Sequence, residues 1–292
     1  MKRNNRPALA SALLLSLAFI ASGVPFAAQQ AAFLSIFAAV ILTIATSGVL
    51  LLTQLRFGTG AGVLVAPIYT ILSSANPKAL ILNPLHPASL AVAASIFFCM
   101  KFIREDQNIR DAFAGNIFLG IAACFFPPAI WLFPVALVSC LLKSGDKARF
   151  GFASISGLLL PIAVTSTVLY LLTGIPQAAE FLLRIVTGFV TIAEKSIFYS
   201  PATIIRILTV VIFTAAAVVK VRKSFINIIM VALLAIAAIF FKSSGEPFCL
   251  WTSMAAAFPL TEFLSDSGTR HRKLYIILIL LIVVSERITF YL

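Results

Sequence analysis

Charged residues, and acidic residues above all, are scarce in this sequence. Only 11% of its 292 residues are charged and only ten are Asp or Glu, whereas roughly a quarter of the residues in average soluble domains are charged. Hydrophobic residues make up 61% of the chain, and the mean hydropathy is +1.07. This composition excludes an ordinary soluble enzyme and predicts an all-α integral membrane protein.

The patterns that usually carry catalytic or metal chemistry are also missing. The chain has two His and four Cys, with no HExxH pair, no P-loop and no paired carboxylates at catalytic spacing. The cysteines lie inside apolar runs without CxxC spacing, which predicts small buried residues; they are Cys99, Cys124, Cys140 and Cys249. We therefore expect no metal and no cofactor.

Long apolar runs fill most of the chain. A helix that crosses a bilayer needs about 20 apolar residues, and only helices satisfy the backbone of such runs in lipid. We predict one polytopic domain over 1–292 with eleven spans. They lie near 7–26, 31–53, 59–76, 85–103, 111–125, 127–142, 150–173, 203–219, 225–241, 247–264 and 274–291. The first run imitates a signal peptide, but a further apolar segment follows at once, so we expect an uncleaved helix.

The basic residues predict the orientation of these spans. Lys and Arg are retained in the cytoplasm during insertion. With eleven spans and a cytoplasmic N-terminus, sixteen of the 22 basic residues lie inside and the C-terminus lies outside. The net charge of +12 is confined to short loops, which indicates that the basic residues orient the spans and contact anionic lipid headgroups. We therefore expect no nucleic-acid partner.

The segment from Asp111 to Leu142 could form one long helix or two short ones. As one helix it would leave only twelve basic residues inside, whereas two helices satisfy the positive-inside rule. The Pro127-Pro128 pair explains a break, because it removes two N–H groups and restricts the residue before each ring. We predict two helices.

A second irregular segment, near 177–195, predicts an amphipathic helix on the outer face. Its polar residues recur at steps of three and four along one stripe, and its other face is apolar. The polar stripe consists of Glu180, Arg184, Thr187, Thr191 and Glu194. Glu180 and Arg184 are spaced to form an ion pair.

Two sets of outer-face residues are candidates for a functional site. Lys78, Asn83 and His86 could bind a lipid phosphate at a helix N-terminus, although Asn83 and His86 could equally serve only to cap that helix. Glu180, Arg184, Arg206 and Glu246 could line a polar cavity, or could simply extend their polar ends to the membrane surface.

The middle of the chain resembles two groups of membrane proteins. The segment from Phe113 to Pro134 contains a Gly115/Gly120 helix and the Pro127-Pro128 break, and Gly157-Leu-Leu-Leu-Pro161 follows a basic loop. This region is similar to an uncharacterised family of polytopic inner-membrane proteins from Bacteroidota. More distantly it resembles GT-C glycosyltransferases, which use polyprenyl-phosphate sugars. We expect Gly115 and Gly120 to permit close helix packing.

One departure from GT-C enzymes affects the expected function. Those enzymes carry an acidic residue in the first outer loop, whereas the loop at 23–32 has none. Without a carboxylate it lacks a general base or metal ligand. The favoured hypothesis is an accessory or scaffold protein of envelope glycan biogenesis in the bacterial inner membrane, with membrane lipids, polyprenyl-phosphate lipids or other envelope proteins as partners. A GT-C-like or polymerase-like enzyme and a transporter or flippase remain alternatives.

Overall fold

A computed structural model describes residues 6–28, 32–57, 64–75, 77–105, 107–142, 144–187 and 248–266, together with single helical positions at 208, 211 and between 276 and 287. These residues form helices, 3₁₀ turns and short connections, and they include no β-strand. The all-α prediction is therefore confirmed for this part of the chain.

Nine α-helices lie within the continuous described segments. They are α1 (Arg6–Ala28), α2 (Phe33–Phe57), α3 (Val65–Ser73), α4 (Leu85–Arg104), α5 (Ile109–Phe125), α6 (Leu132–Leu141), α7 (Lys147–Thr173), α8 (Ile175–Thr187) and α9 (Phe248–Asp266). Two 3₁₀ turns, Pro77–Leu80 and Pro127–Trp131, precede α4 and α6.

Three of these helices are long and apolar enough to cross a membrane, namely α2, α4 and α7. Large apolar side chains lie exposed along α7, including Phe152, Leu159 and Leu171. Exposed apolar surface of this extent is expected to face lipid. The structure thus supports a membrane protein. The predicted spans near 203–219 and 225–241 lie outside the described residues, and the eleven-span count and its orientation stay predictions.

Local side-chain chemistry explains where several helices begin and end. Asn108 accepts a hydrogen bond from the Arg110 N–H at 3.0 Å and caps α5, and Asp146 caps α7 through the Arg149 N–H at 3.1 Å. Helix α5 ends at Phe125, and the next residue, Phe126, is extended (φ −140°, ψ 94°), because the two prolines after it cannot continue the helix. The predicted break at this position is confirmed.

The described helices group into two compact units. Unit 1 comprises Met1–His86 and Lys195–Leu292, and unit 2 comprises Pro87–Glu194. The single-domain prediction stays a prediction.

In unit 1, α3 is buried on nearly all sides and packs against α9, α2 and α1. The side chains of α9 are buried around the whole helix from Leu250 to Phe258. These two helices form the core of the unit.

In unit 2, α5 and α7 pack side by side and run in the same direction. Phe113 meets Gly157, and further along the same pair of helices the Thr165 hydroxyl donates to Cys124 Sγ at 3.6 Å. Because successive helices in this unit are joined by short connections, the intervening 3₁₀ turn and α6 carry the chain back from the end of α5 to the start of α7.

Candidate functional site

The corner before α4 brings together two of the candidate residues for a lipid-phosphate site. Asn83 Oδ1 accepts a hydrogen bond from the Leu85 N–H at 3.0 Å, so Asn83 caps α4. Pro84 lies between Asn83 and Leu85, at the start of the helix, where its missing N–H costs no helical hydrogen bond. This is the capping role that the sequence predicted as one of two alternatives.

The His86 imidazole is buried in the same corner and is bonded to its own chain. Only 1% of its surface is exposed. Nε2 lies 2.9 Å from the Ala79 carbonyl oxygen, which can only accept, so Nε2 carries the hydrogen. In the neutral ring, Nδ1 accepts from the Asn83 N–H at 3.3 Å. The ring therefore ties the 3₁₀ turn before α4 to the first turn of that helix.

Lys78, the third candidate of this set, lies in the 3₁₀ turn Pro77–Leu80, and its side chain is outside the described part of the chain. The turn packs against α1 and α2. Leu80 contacts Gly23, where an added Cβ would lie 2.6 Å from Leu80 Cδ1, and the Leu82 N–H donates to Ser35 Oγ at 3.1 Å. A phosphate site formed by Lys78, Asn83 and His86 stays a prediction.

The second candidate set is described only in part. Arg206 and Glu246 lie outside the described residues. Arg184 Nη2 donates to Glu180 Oε1 at 2.6 Å, and the two side chains are 71% and 59% exposed. The spacing of four residues predicted this pair, and it is confirmed.

Helix α8 presents three faces. Ala178 and Ile185 are buried on one face, and the charged pair Glu180–Arg184 lies on another; the helix contacts α7 and the 3₁₀ turn Pro127–Trp131. The third face is apolar and exposed, and it carries Ile175, Leu182 and Val186. A helix with one exposed apolar stripe and one charged stripe has the pattern of an interfacial helix.

A contact near the two ends of the chain was not predicted from the sequence. Arg287 Nη2 donates to Ser22 Oγ at 3.3 Å, 265 positions away. Arg287 Nη2 would also lie 3.5 Å from a Cβ at Gly23. Ser22 is close to the C-terminal end of α1, so Arg287 lies beside that end of the helix.

The glycines of the resemblance region have a packing role. A Cβ at Gly157 would lie 2.6 Å from the Phe113 carbonyl oxygen, and a Cβ at Gly120 would overlap the Leu158 carbonyl oxygen. On each helix of the α5–α7 pair, therefore, a glycine lies directly against the backbone of the other helix. The expectation that Gly115 and Gly120 permit close helix approach is confirmed at Gly120, and a Cβ at Gly115 would lie 3.2 Å from Cys99 Sγ on α4.

Two buried polar atoms also lie within these two helices. Asn116 donates from Nδ2 to the Ala112 carbonyl oxygen at 2.8 Å, but its Oδ1 has no hydrogen-bond partner, and neither does Ser154 Oγ on α7. Asn116 Cβ would lie 3.2 Å from a Cβ at Gly157, three residues from Ser154.

A buried polar seam in unit 1 is the main feature that sequence reasoning missed. The buried face of α2 carries hydroxyl and amide side chains at helical spacing, which are Thr43, Thr46, Ser47, Thr53 and Gln54. Helix α3 adds the buried residues Tyr69, Thr70 and Ser73. Four hydroxyl residues and a glutamine on one face of an apolar span are the sequence signal that could have identified this seam.

No protein-family model, no curated protein and no solved structure matches this chain. Among the described residues, no group of three His, Cys, Asp or Glu side chains is placed to hold a metal ion.

Proposed function

We propose that this chain is a multi-pass protein of the bacterial inner membrane and a non-catalytic accessory component of lipid-linked glycan assembly in the envelope. The observation that carries the proposal is the environment of His86. This residue was the only histidine among the candidate site residues, and both of its ring nitrogens contact the chain itself. It supports the corner before α4, which is a structural role.

The proposed topology has eleven spans, a cytoplasmic N-terminus and an external C-terminus. Two contacts support it. Helices α5 and α7 pack in parallel, so the chain must run back in the opposite direction between them. The two short spans predicted at 111–125 and 127–142 would allow this return. Arg287, near the C-terminal end of the last predicted span, donates to Ser22, near the C-terminal end of α1. In the proposed topology both of these helix ends lie on the outer side.

In this proposal α8 lies in the outer membrane interface. Its exposed apolar face enters the acyl boundary and the Glu180–Arg184 pair faces water, since both charges are largely exposed. The apolar side chains of Leu171 and Leu172, at the end of α7, are also exposed. The partners we propose are membrane lipids, including polyprenyl-phosphate lipids, and other envelope proteins of the inner membrane.

Purification of the full chain in mild detergent, followed by identification of bound proteins and lipids, tests the accessory role. We expect an envelope glycan enzyme to co-purify, and we expect the isolated chain to transfer no sugar from a polyprenyl-phosphate sugar to an acceptor. A chain that performs this transfer alone is an enzyme, and one that moves the lipid-linked sugar across proteoliposomes is a flippase. Either result would overturn the proposal.

Reporter fusions test the topology separately. A reporter that is active only outside the cytoplasm should be active after Gly174 and after Leu292, and inactive in the loop around Gly145. A reporter that is active after Gly145, or inactive after Leu292, contradicts the proposed topology.

A further inference from the structure

The polar seam of unit 1 lies on the buried face of α2, a helix that is apolar enough to cross the membrane. Thr46 and Thr53 are seven residues apart and lie on one line of this face, while Ser47 and Gln54 lie on a neighbouring line at the same spacing. Polar side chains inside a span are costly, and they often mark a functional site.

The hydroxyl hydrogens of the α2 seam are already used within the helix. Thr46 donates to the Leu42 carbonyl oxygen at 2.8 Å, and Thr53 donates to the Val49 carbonyl oxygen at 2.8 Å. Thr43 and Ser47 bond in the same way to carbonyl oxygens four and three residues earlier. A hydroxyl has one hydrogen to donate, so each oxygen now offers only lone pairs to a further partner.

Helix α3 continues this arrangement. Helix α3 packs against α2, and the fully buried Tyr69 side chain brings its hydroxyl near the Thr46 side chain, where the Tyr69 oxygen makes no hydrogen bond. Thr70 donates to the Ala66 carbonyl oxygen at 2.8 Å, and Ser73 donates to the Thr70 carbonyl oxygen at 3.2 Å. These hydroxyl oxygens are also left as acceptors.

Gln54 supplies the observation that points to a ligand. Its side chain is 1% exposed, and its Oε1 atom is buried without a hydrogen-bond donor. A buried acceptor left unpaired is expensive, because it has lost its hydrogen bonds to water and gained none in the protein. A ligand that interacts with oxygen lone pairs would remove that cost.

We propose that this seam binds a monovalent cation, with Na⁺ as the first candidate. The oxygens that its described side chains offer are neutral amide and hydroxyl oxygens, and neutral carbonyl and hydroxyl oxygens in membrane proteins suit Na⁺ or K⁺. Divalent Ca²⁺ and Mg²⁺ sites rely on carboxylates to offset dehydration, and the described side chains of the seam include none. The site is independent of the proposed accessory function and stands whether or not that function holds.

Thermal unfolding of the full chain in detergent tests the site, with NaCl, KCl and choline chloride titrated at constant ionic strength. A bound cation stabilises the folded state in proportion to its occupancy. We expect a saturable rise in the unfolding temperature of ~5 °C with Na⁺ or K⁺ and none with choline. Equal curves in all three salts, as a buried water molecule would give, overturn the proposal.

Variants identify the oxygens involved. Gln54→Leu should remove the cation-dependent shift, and the nearly isosteric Thr46→Val serves as a second variant if the first does not fold. The matched control is Thr167→Val, because Thr167 makes the same intrahelical bond, at 2.8 Å to the Ala163 carbonyl oxygen, on an exposed face of α7. A full shift in both seam variants would show that the cation binds elsewhere and would reject the assignment.

Discussion

Lys101 and Asp111 form an ion pair that closes the turn between α4 and α5. Lys101 Nζ donates to Asp111 Oδ1 at 2.7 Å, and the side chains are 28% and 12% exposed. Asp111 lies in the first turn of α5, where an acidic side chain complements the helix dipole, and its lysine partner comes from the last turn of α4.

Removing one partner of this pair should destabilise the protein. Exposed pairs contribute about 0–1 kcal/mol, whereas breaking a buried pair costs about 3–5 kcal/mol. We expect Asp111→Asn to lower the free energy of unfolding by about 1–2 kcal/mol, measured by denaturant unfolding in detergent. The control is Glu180→Gln in the exposed pair of α8, which should cost less than about 0.5 kcal/mol. Equal losses in the two variants would contradict the difference in burial.

Gly157 should not tolerate a larger side chain. In Gly157→Ala the new Cβ would meet the Phe113 carbonyl oxygen at 2.6 Å, so α5 and α7 must separate. We expect a loss of about 1–3 kcal/mol in unfolding free energy, which is the usual cost of overpacking.

Gly151 on the same helix gives a matched control for Gly157, since a Cβ there meets nothing within 4 Å. Gly151→Ala should be neutral, or stabilise α7 by about 0.5–1 kcal/mol through the better helix propensity of alanine. If both alanine variants unfold alike, the glycine contact does not set the distance between α5 and α7.

Gly174 sets the corner between α7 and α8. Its backbone lies at φ +92° and ψ −177°, a region that is essentially restricted to glycine. We expect Gly174→Ala to cost about 1–3 kcal/mol and to displace α8, and protease accessibility of the segment after α7 would report this displacement. The control Gly145→Ala lies in a loop at ordinary φ with nothing within 4 Å, and it should leave both readouts unchanged.

Thiol labelling tests the position of α8 at the membrane surface. In intact membranes, a water-soluble maleimide should label Glu180→Cys at least several-fold faster than Val186→Cys, because the first position lies on the charged face and the second on the exposed apolar face. The parent chain, with its native cysteines, supplies the background. Equal labelling in membranes would place both faces in water and contradict an interfacial helix.

The positions of the helices were largely predictable from the sequence. The span predicted at 85–103 is α4 (Leu85–Arg104), and that at 247–264 is α9 (Phe248–Asp266). Apolar runs that must satisfy their own backbone can only be helical in lipid. The Pro127-Pro128 pair follows the end of α5, whereas Pro25 and Pro161 lie inside α1 and α7. The break at Phe126 followed from the same reasoning.

The contacts between helices were less predictable. The predicted helix near 177–195 corresponds to α8, whose described residues end at Thr187. Its apolar face, treated as one surface in the sequence, is divided in the structure. Ile185 packs within unit 2, whereas Leu182 and Val186 stay exposed. Helical spacing shows which residues share a face but not which part of that face a neighbour covers.

The sequence alone therefore indicated the membrane class, the helical segments that the structure describes and, as one of two alternatives, the capping role of Asn83, because these depend on local composition and on backbone chemistry. Only the tertiary structure decided that His86 bonds to Ala79, that Tyr69 meets Thr46 and that Arg287 reaches Ser22. These pairings depend on which helices are neighbours and how they are rotated, and no residue spacing within a single helix carries that information.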